Sequence, residues 1–276
     1  MTNFLKLFVY LLCFATSSVS AHQILLIGSD SREEGKRGNA DVIMIITIKQ
    51  SEVKLTSLLR DTYVYIKGYG NQKLNAAYRL GGKTLLINTI NANFKTKIAS
   101  TIVTDFRNTA DIIDGFGGVT LNIDKGIHQY VNGYIDEQSS LKNVPLLPLT
   151  KTGKIKMTGD QALAYARVRV PGTKYDDQAR VERQKDVTKA VLNFALDHKS
   201  KALRYFYDMW SLIGTDISMS TFWSICQTFL SKPRIPKSQV FPSINNYTNK
   251  RVKNVGLVLK IKDFNKAATN LNNLIR

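Results

Sequence analysis

Apolar residues occur in short unbroken runs early in the chain and at helical spacing further along. Ile24 to Gly28 is one such run, ending in Gly-Ser-Asp, the pattern of a strand covered on both faces. Val42 to Ile48, β-branched and apolar, reads as a second central strand and Val53 to Leu59 as a third, and the charged, glycine-bearing stretch Ser31 to Ala40 reads as a loop. Gly68-Tyr69-Gly70-Asn71 predicts a turn. From Asn75 the spacing becomes helical, is broken by Gly81-Gly82, and continues from Lys83 to Phe94 through Leu85, Leu86, Thr89 and Ile90. Ile98 to Thr104 predicts a strand. Phe106 to Phe116 predicts a helix with Ile112 and Ile113 inward, and Val119 to Ile123 another strand after Gly117-Gly118. Alternating strands and helices predict an α/β class with a central sheet.

The second half is less regular. Asp124 to Lys156 is polar, carries Pro145 and Pro148, and reads as a long surface insertion. Thr158 is placed to cap a helix running through Gln161 to Ala166. A longer helix spans roughly Asp176 to His198. Ala202 to Leu212 and Met219 to Leu230 read as helices, the segments around Val240 and from Leu257 to Ile261 as strands, and Phe264 to Ile275 as a closing helix. Without repeats or a linker rich in Pro, Gly or Ser, residues 22–276 read as one domain.

Composition changes the picture at two points. The chain has 276 residues, 43% of them hydrophobic, enough for a sizeable core. It holds 39 Lys and Arg against 21 Asp and Glu, a formal net charge of +18, which favours anionic partners. Most of the lysines read as solvated faces. The amino terminus then suggests a destination. Lys6 precedes an apolar run from Leu7 to Ala15, and Val19 and Ala21 fit the small-residue pattern of a signal-peptidase site. That run is shorter than the ~20 residues of a membrane span. Residues 1–21 are therefore expected to be an export signal, with a short retained anchor as the alternative. Cys13 lies in that segment, which leaves Cys226 as the other cysteine, so neither a disulfide nor a cysteine metal cluster is expected in a processed chain. His22, His128 and His198 have no ligand spacing.

Arginines and aspartates gather at predicted element ends. Asp30 follows the first strand and Asp41 precedes the second; two such carboxylates suit a hard cation, while a local turn for Asp30 and a pair with Arg37 for Asp41 account for them equally. Arg60 ends the third strand at the sheet rim, with Asp61 beside it. Arg167 and Arg169, if extended, share one face with Val168 opposite, so that two guanidinium forks stand side by side. On the long helix, Arg180, Arg183, Gln184, Val187, Val191 and Phe194 form one stripe. Its apolar half must face the core, so the two arginines point inward and need an anion. A phosphate group is the preferred reading; a salt bridge to Asp176, Asp177 or Glu182 is the other. Gly82-Lys83-Thr84 imitates the end of a nucleotide phosphate loop, but Ala77 stands where that motif needs glycine. No G-x-S-x-G or H-E-x-x-H occurs.

In this order, the clusters resemble the LytR-CpsA-Psr family. The matching stretches are Ile24-Leu25-Leu26-Ile27-Gly28-Ser29-Asp30-Ser31-Arg32, Asp41-Val42-Ile43-Met44, Arg60-Asp61-Thr62, Lys73-Leu74-Asn75-Ala76-Ala77-Tyr78 with Gly81-Gly82, Asp114 through Gly117-Gly118-Val119, Gly159 through Arg169, and Asp177 with Arg180, Arg183 and Gln184. The resemblance implies a three-layer α/β/α sandwich with a central mixed sheet and an apolar lipid tunnel. It implies transfer of a glycopolymer from a polyprenyl pyrophosphate carrier to a cell-wall acceptor such as a peptidoglycan hydroxyl, forming a phosphodiester at the membrane surface, outside the cytoplasm. Carried over by position, Asp30 and Asp41 become ligands of magnesium, or of manganese in its place. Arg32, Arg60, Arg167, Arg169, Arg180, Arg183 and Gln184 become diphosphate ligands, and Asp177 is the guess for a base. No nucleic acid partner is expected.

Three positions depart from the family pattern: Asn39 stands where an arginine is common, Leu59 where a proline is, and Ala179 where a glycine is. Two rival readings share the same residues or charge. One is hydrolysis of the same diphosphate; the other is a non-enzymatic binder of wall polymers.

Overall fold

A computed structural model describes residues 22–29, 37–49, 52–198, 214–218, 221, 222, 225, 228, 235 and 238–276. The expected export signal, Asp30, Arg32, the expected helix from Ala202 to Leu212, and Cys226 lie outside the described residues. At the centre is a six-stranded mixed sheet in the order β10-β3-β2-β1-β6-β9. Its strands are β1 (His22–Ser29), β2 (Ala40–Lys49), β3 (Glu52–Leu58), β6 (Ser100–Thr104), β9 (Gly214–Thr215) and β10 (Gln239–Phe241). β1 runs antiparallel to β2 and parallel to β6.

The alternation of side chains along these strands makes two cores. Leu25, Ile27, Ile43, Ile45 and Leu58 pack on one face against Leu86, Ile90 and Phe94 of helix α1 (Ala76–Phe94) and against Ala267 and Leu271 of α6 (Phe264–Leu274). Ile24, Met44, Ile46, Ile48, Val53 and Leu55 point to the other face, where Leu192 of α5 (Asp177–Asp197) and Phe222 pack on them. Helices therefore cover both faces, the α/β/α layering expected. Two short hairpins complete this half: β4 (Tyr63–Ile66) with β5 (Gly70–Lys73), and β11 (Tyr247–Val252) with β12 (Gly256–Ile261). The pattern gave the turn at Gly68 but neither β4, β5 nor β11, because β4 and β5 are only four residues long and no residue of β5 or β11 is buried.

The stretch from Asp124 to Lys156 is not a loose insertion. It forms α3 (Lys125–Lys142) and strand β8 (Gly153–Met157), which pairs with β7 (Val119–Ile123). Asp124 caps α3 by accepting from the Gly126 amide at 2.6 Å. Ile127, Val131 and Ile135, four residues apart, form its buried stripe. Only these three apolar residues of the eighteen are buried, and polar neighbours dilute their periodicity in the sequence. These elements share a third core with α4 (Gly159–Arg167) and Val187 of α5.

Local chemistry fixes the ends of α4. Thr158 Oγ1 accepts from the Gln161 amide and Gln161 Oε1 accepts from the Thr158 amide, a reciprocal cap. The Gly159 amide donates to Asp114 Oδ1 at 2.7 Å, tying α4 to α2 (Phe106–Gly115). A Cβ on Gly159 would stand 2.0 Å from the Ala110 carbonyl oxygen, so glycine alone permits this approach. Gly82, with φ of 69°, makes the kink within α1 that the sequence placed there. Among the described residues, no helix is long and apolar enough to cross a membrane.

Candidate active site

Two cavities meet at the end of the sheet, separated by a shared wall of Asp41, Val42, Arg180 and Gln184. The first, about 220 Å³, is lined by Leu26, Gly28, Ser29, Thr104, Asp105, Thr109, Tyr134, Leu163, Ala166, Arg167, Val187 and Thr188 besides that wall. The second, about 400 Å³, adds Arg60, Asp61, Arg169, Lys174, Asp176, Gln178 and residues of the β11–β12 hairpin. The sheet explains the place. Gly28 pairs with Val42 and with Thr104, so the carboxyl end of β1 and β6 opens beside the start of β2. A register shift after Gly28 sets Ser29 opposite Ala40, the residues that precede Asp30 and Asp41.

The arginines converge, though not all in the expected way. Arg180 is 9% exposed and lines both cavities. Arg60 donates to Asp41 Oδ1 at 2.5 Å and lies 3.9 Å from Asp61, which also pairs with Lys73 at 2.9 Å. Arg167 donates to Glu137 at 3.0 Å, with its guanidinium 5.0 Å from the Tyr134 ring centre. Arg169 pairs with Asp176 at 3.2 Å. Arg167 and Arg169 do not stand side by side. Arg167 closes a helix instead of lying on a strand, so the two guanidinium groups reach different cavities.

Arg183 also takes a different course. It donates to the carbonyls of Val168 and Tyr175 and is absent from the lining of either cavity. Burial pulls its pKa down, against the opposing influence of Tyr165. Of the acids expected to pair with the helix arginines, Asp176 takes Arg169 and Glu182 takes Lys185. Asp177 opens α5, and its side chain lies outside what the structure describes. Asn39, at the departing position, accepts from Arg79 at 3.3 Å. Lys83 of the false phosphate loop pairs with Asp216 at 3.2 Å.

Several lining residues escaped the sequence reading. Asp105 caps α2 by accepting from the Asn108 amide at 2.8 Å. Its signal was present: an aspartate between a strand and a helix, directly after the strand parallel to β1. Burial pushes the Tyr78 hydroxyl up, Arg37 pulls it down and Asp105 pushes it further up. Tyr134 and Glu137 belong to the stretch read as an insertion. Tyr247 and Asn249 belong to a strand not foreseen.

The lining is a set of arginines braced by carboxylates around a part-apolar, part-polar space. Braced guanidinium groups are preorganised for phosphate oxygens. Comparison with known proteins agrees with that chemistry. The LytR_cpsA_psr family matches residues 13–272. The polyisoprenyl-teichoic acid–peptidoglycan teichoic acid transferase TagU of Bacillus mycoides is 30% identical over 229 residues, 82% of this chain and 64% of that protein. The chain thus spans less than two thirds of the length of such relatives. Among solved structures, TagT bound to LIIa-WTA superposes with a TM-score of 0.72 at 20% identity, covering 94% of this chain and 93% of the other. TagT with bound octaprenyl pyrophosphate lipid gives 0.67 at 19% identity, covering 94% and 91%. These two likenesses speak for the fold, and the match over residues 13–272 decides the rest: the chain belongs to the LytR-CpsA-Psr family.

Proposed function

We propose that this protein is a phosphotransferase that moves a glycopolymer from a polyprenyl pyrophosphate carrier to a hydroxyl of a cell-wall acceptor such as peptidoglycan. The observation that carries this reading is the wall shared by the two cavities, where Arg180, Gln184 and Asp41 face both an apolar-sided space and a more polar one. Relatives named as teichoic acid transferases and a fold neighbour holding octaprenyl pyrophosphate support it. Leu26, Val42, Leu163 and Val187 give the first cavity an apolar side, and Leu26 and Val42 continue into the sheet face of Met44 and Ile46. The prenyl chain is assigned to that direction.

Phosphoryl transfer needs positioning and charge neutralisation more than covalent help. Arg167 and Arg180 hold the diphosphate from the carrier side, and Arg60 and Arg169 from the opposite side. Carboxylate partners fix the forks of Arg60, Arg167 and Arg169 before substrate arrives, so little reorganisation is needed. Arg32 is a secondary candidate by position, and Asp177 is the proposed acceptor of the hydroxyl proton. Magnesium fits the lining: it binds through one or two carboxylates plus phosphate oxygens, and Asp41 supplies one at the shared wall, with Asp30 the proposed second. When bound, the ion would neutralise charge on the diphosphate. Action outside the cytoplasmic membrane follows from the acceptor and from the export signal read in residues 1–21.

Radiolabelled polyprenyl pyrophosphate-linked disaccharide, incubated with the protein with and without soluble peptidoglycan strands, tests the reading. Label on the strands is expected. Release of free sugar phosphate at the same rate without strands would establish the hydrolase instead.

A further inference from the structure

We infer that the larger cavity is the acceptor site, and that the β11–β12 hairpin forms its recognition wall for a hydroxyl-bearing glycan strand. This rests on the phosphotransferase reading and adds to it where the second substrate binds. In-line displacement demands that the nucleophile enter opposite the leaving group. The leaving group is the prenyl phosphate, which the apolar-sided cavity takes. The space across the shared wall of Asp41, Arg180 and Gln184 is the larger cavity. An acceptor hydroxyl arriving there bonds to the sugar-side phosphorus. The bond from that phosphorus to the bridging oxygen breaks, polyprenyl phosphate leaves with the electron pair, and the hydroxyl proton passes to the base.

The lining of this cavity is of two kinds. Arg60, Arg169 and Arg180 are its phosphate ligands. Gln178, Tyr247, Asn249 and Leu257 line it as well, and Gln178, Asn249 and Leu257 are exposed. Two amides and a phenol offer neutral donors and acceptors for sugar hydroxyls. Tyr247 and Leu257, the latter 52% exposed, offer apolar surface for a ring face. The volume of about 400 Å³ lies in the range of small-ligand sites.

The hairpin is fastened to the chemistry. Asn249 pairs with Leu259 across the two strands, and the Leu259 amide donates to the Asp61 carbonyl at 2.9 Å. Thr62 forms a bridge to the same Leu259. The recognition wall is therefore bonded to the residue next to Arg60, so a glycan held by Asn249 is held at a fixed distance from the diphosphate ligands.

Steady-state transfer by the full chain tests this, with a polyprenyl pyrophosphate-linked disaccharide as donor and soluble peptidoglycan strands as acceptor. For the double variant Gln178→Ala/Asn249→Ala, the acceptor KM is expected to rise about tenfold or more, the loss of two neutral hydrogen bonds, with kcat little changed. Binding of a fluorescent prenyl pyrophosphate and the thermal midpoint should stay at wild-type values. An unaltered acceptor KM in the double variant overturns the inference alone. So does a parallel rise in KM for the disaccharide-bearing donor, which would place the donor's own sugar there. Wild-type protein that binds donor but labels no strand overturns the transferase reading, and this inference with it.

Discussion

Replacing Arg167 by alanine separates the work of a guanidinium on substrate from its work on the fold. Arg167 is only 13% exposed along its side chain, while its partner Glu137 is 38% exposed. An ion pair with one partner so open to water contributes about 0.2–1 kcal/mol. Its position over Tyr134 adds about 0.5–1 kcal/mol. Arg167→Ala should therefore lower unfolding free energy by about 1–2 kcal/mol. Its effect on transfer should be much larger. Loss of one preorganised donor to developing charge costs about 10²–10³ in rate, about 2.7–4 kcal/mol. Arg167→Lys retains charge but loses the planar fork and should fall between. Glu137→Gln supplies the control: it removes the carboxylate charge but keeps an acceptor oxygen for the Arg167 fork, so stability should drop by no more than about 1 kcal/mol while most transfer survives. The assays are urea unfolding and initial rates of label transfer at saturating donor. The reasoning fails if Arg167→Ala loses under tenfold in rate, or if Glu137→Gln loses as much rate as Arg167→Ala.

Other expectations follow from the same geometry. Gly159→Ala sets a methyl 2.0 Å from the Ala110 carbonyl oxygen, which is backbone and cannot swing away, so the denaturation midpoint should fall by the equivalent of at least about 1–3 kcal/mol; an unchanged midpoint refutes the close approach. Asp41→Asn should abolish the gain in prenyl pyrophosphate affinity produced by added magnesium while leaving affinity in EDTA within severalfold; an intact gain excludes Asp41 as a ligand. Asp216 is a pH probe. Burial opposes its ionisation, but the hydroxyl and amide of Thr101 and the Lys83 ammonium outweigh burial and hold its pKa below the ordinary 3.8. Its contribution to stability is therefore complete above that value and is lost as pH falls through the lower folded pKa. The stability gap between wild type and Asp216→Asn should be widest at neutral pH and shrink toward pH 3, and a gap independent of pH counts against this tie.

How much was legible depended on how far each signal reached along the chain. The buried strands β1 and β2 were plain because both faces are covered, which leaves nearly unbroken apolar runs, and β3 was plain because Val53, Leu55 and Leu58 recur along it. The cap at Thr158 and the kink at Gly81-Gly82 were plain because both are local. Helix α3 was missed because its stripe of Ile127, Val131 and Ile135 is thin, and with it went Tyr134 and Glu137. The convergence of Arg60, Arg167 and Arg180 was expected from their chemistry and from the family resemblance.

By itself the sequence determined the α/β class, the family and the identity of the residues that could face an anion, since periodicity and motif order are properties of the chain alone. Only the tertiary structure decided which arginines share a cavity. It set Arg180 on the wall between two spaces, sent Arg167 and Arg169 to opposite sides, and turned Arg183 to the carbonyls of Val168 and Tyr175. It also brought Asp105 and a hairpin some two hundred residues from Asp41 to the same place. The physical reason is that side-chain direction at an element's end depends on where that element stops and what packs over it, and neither is written in local spacing.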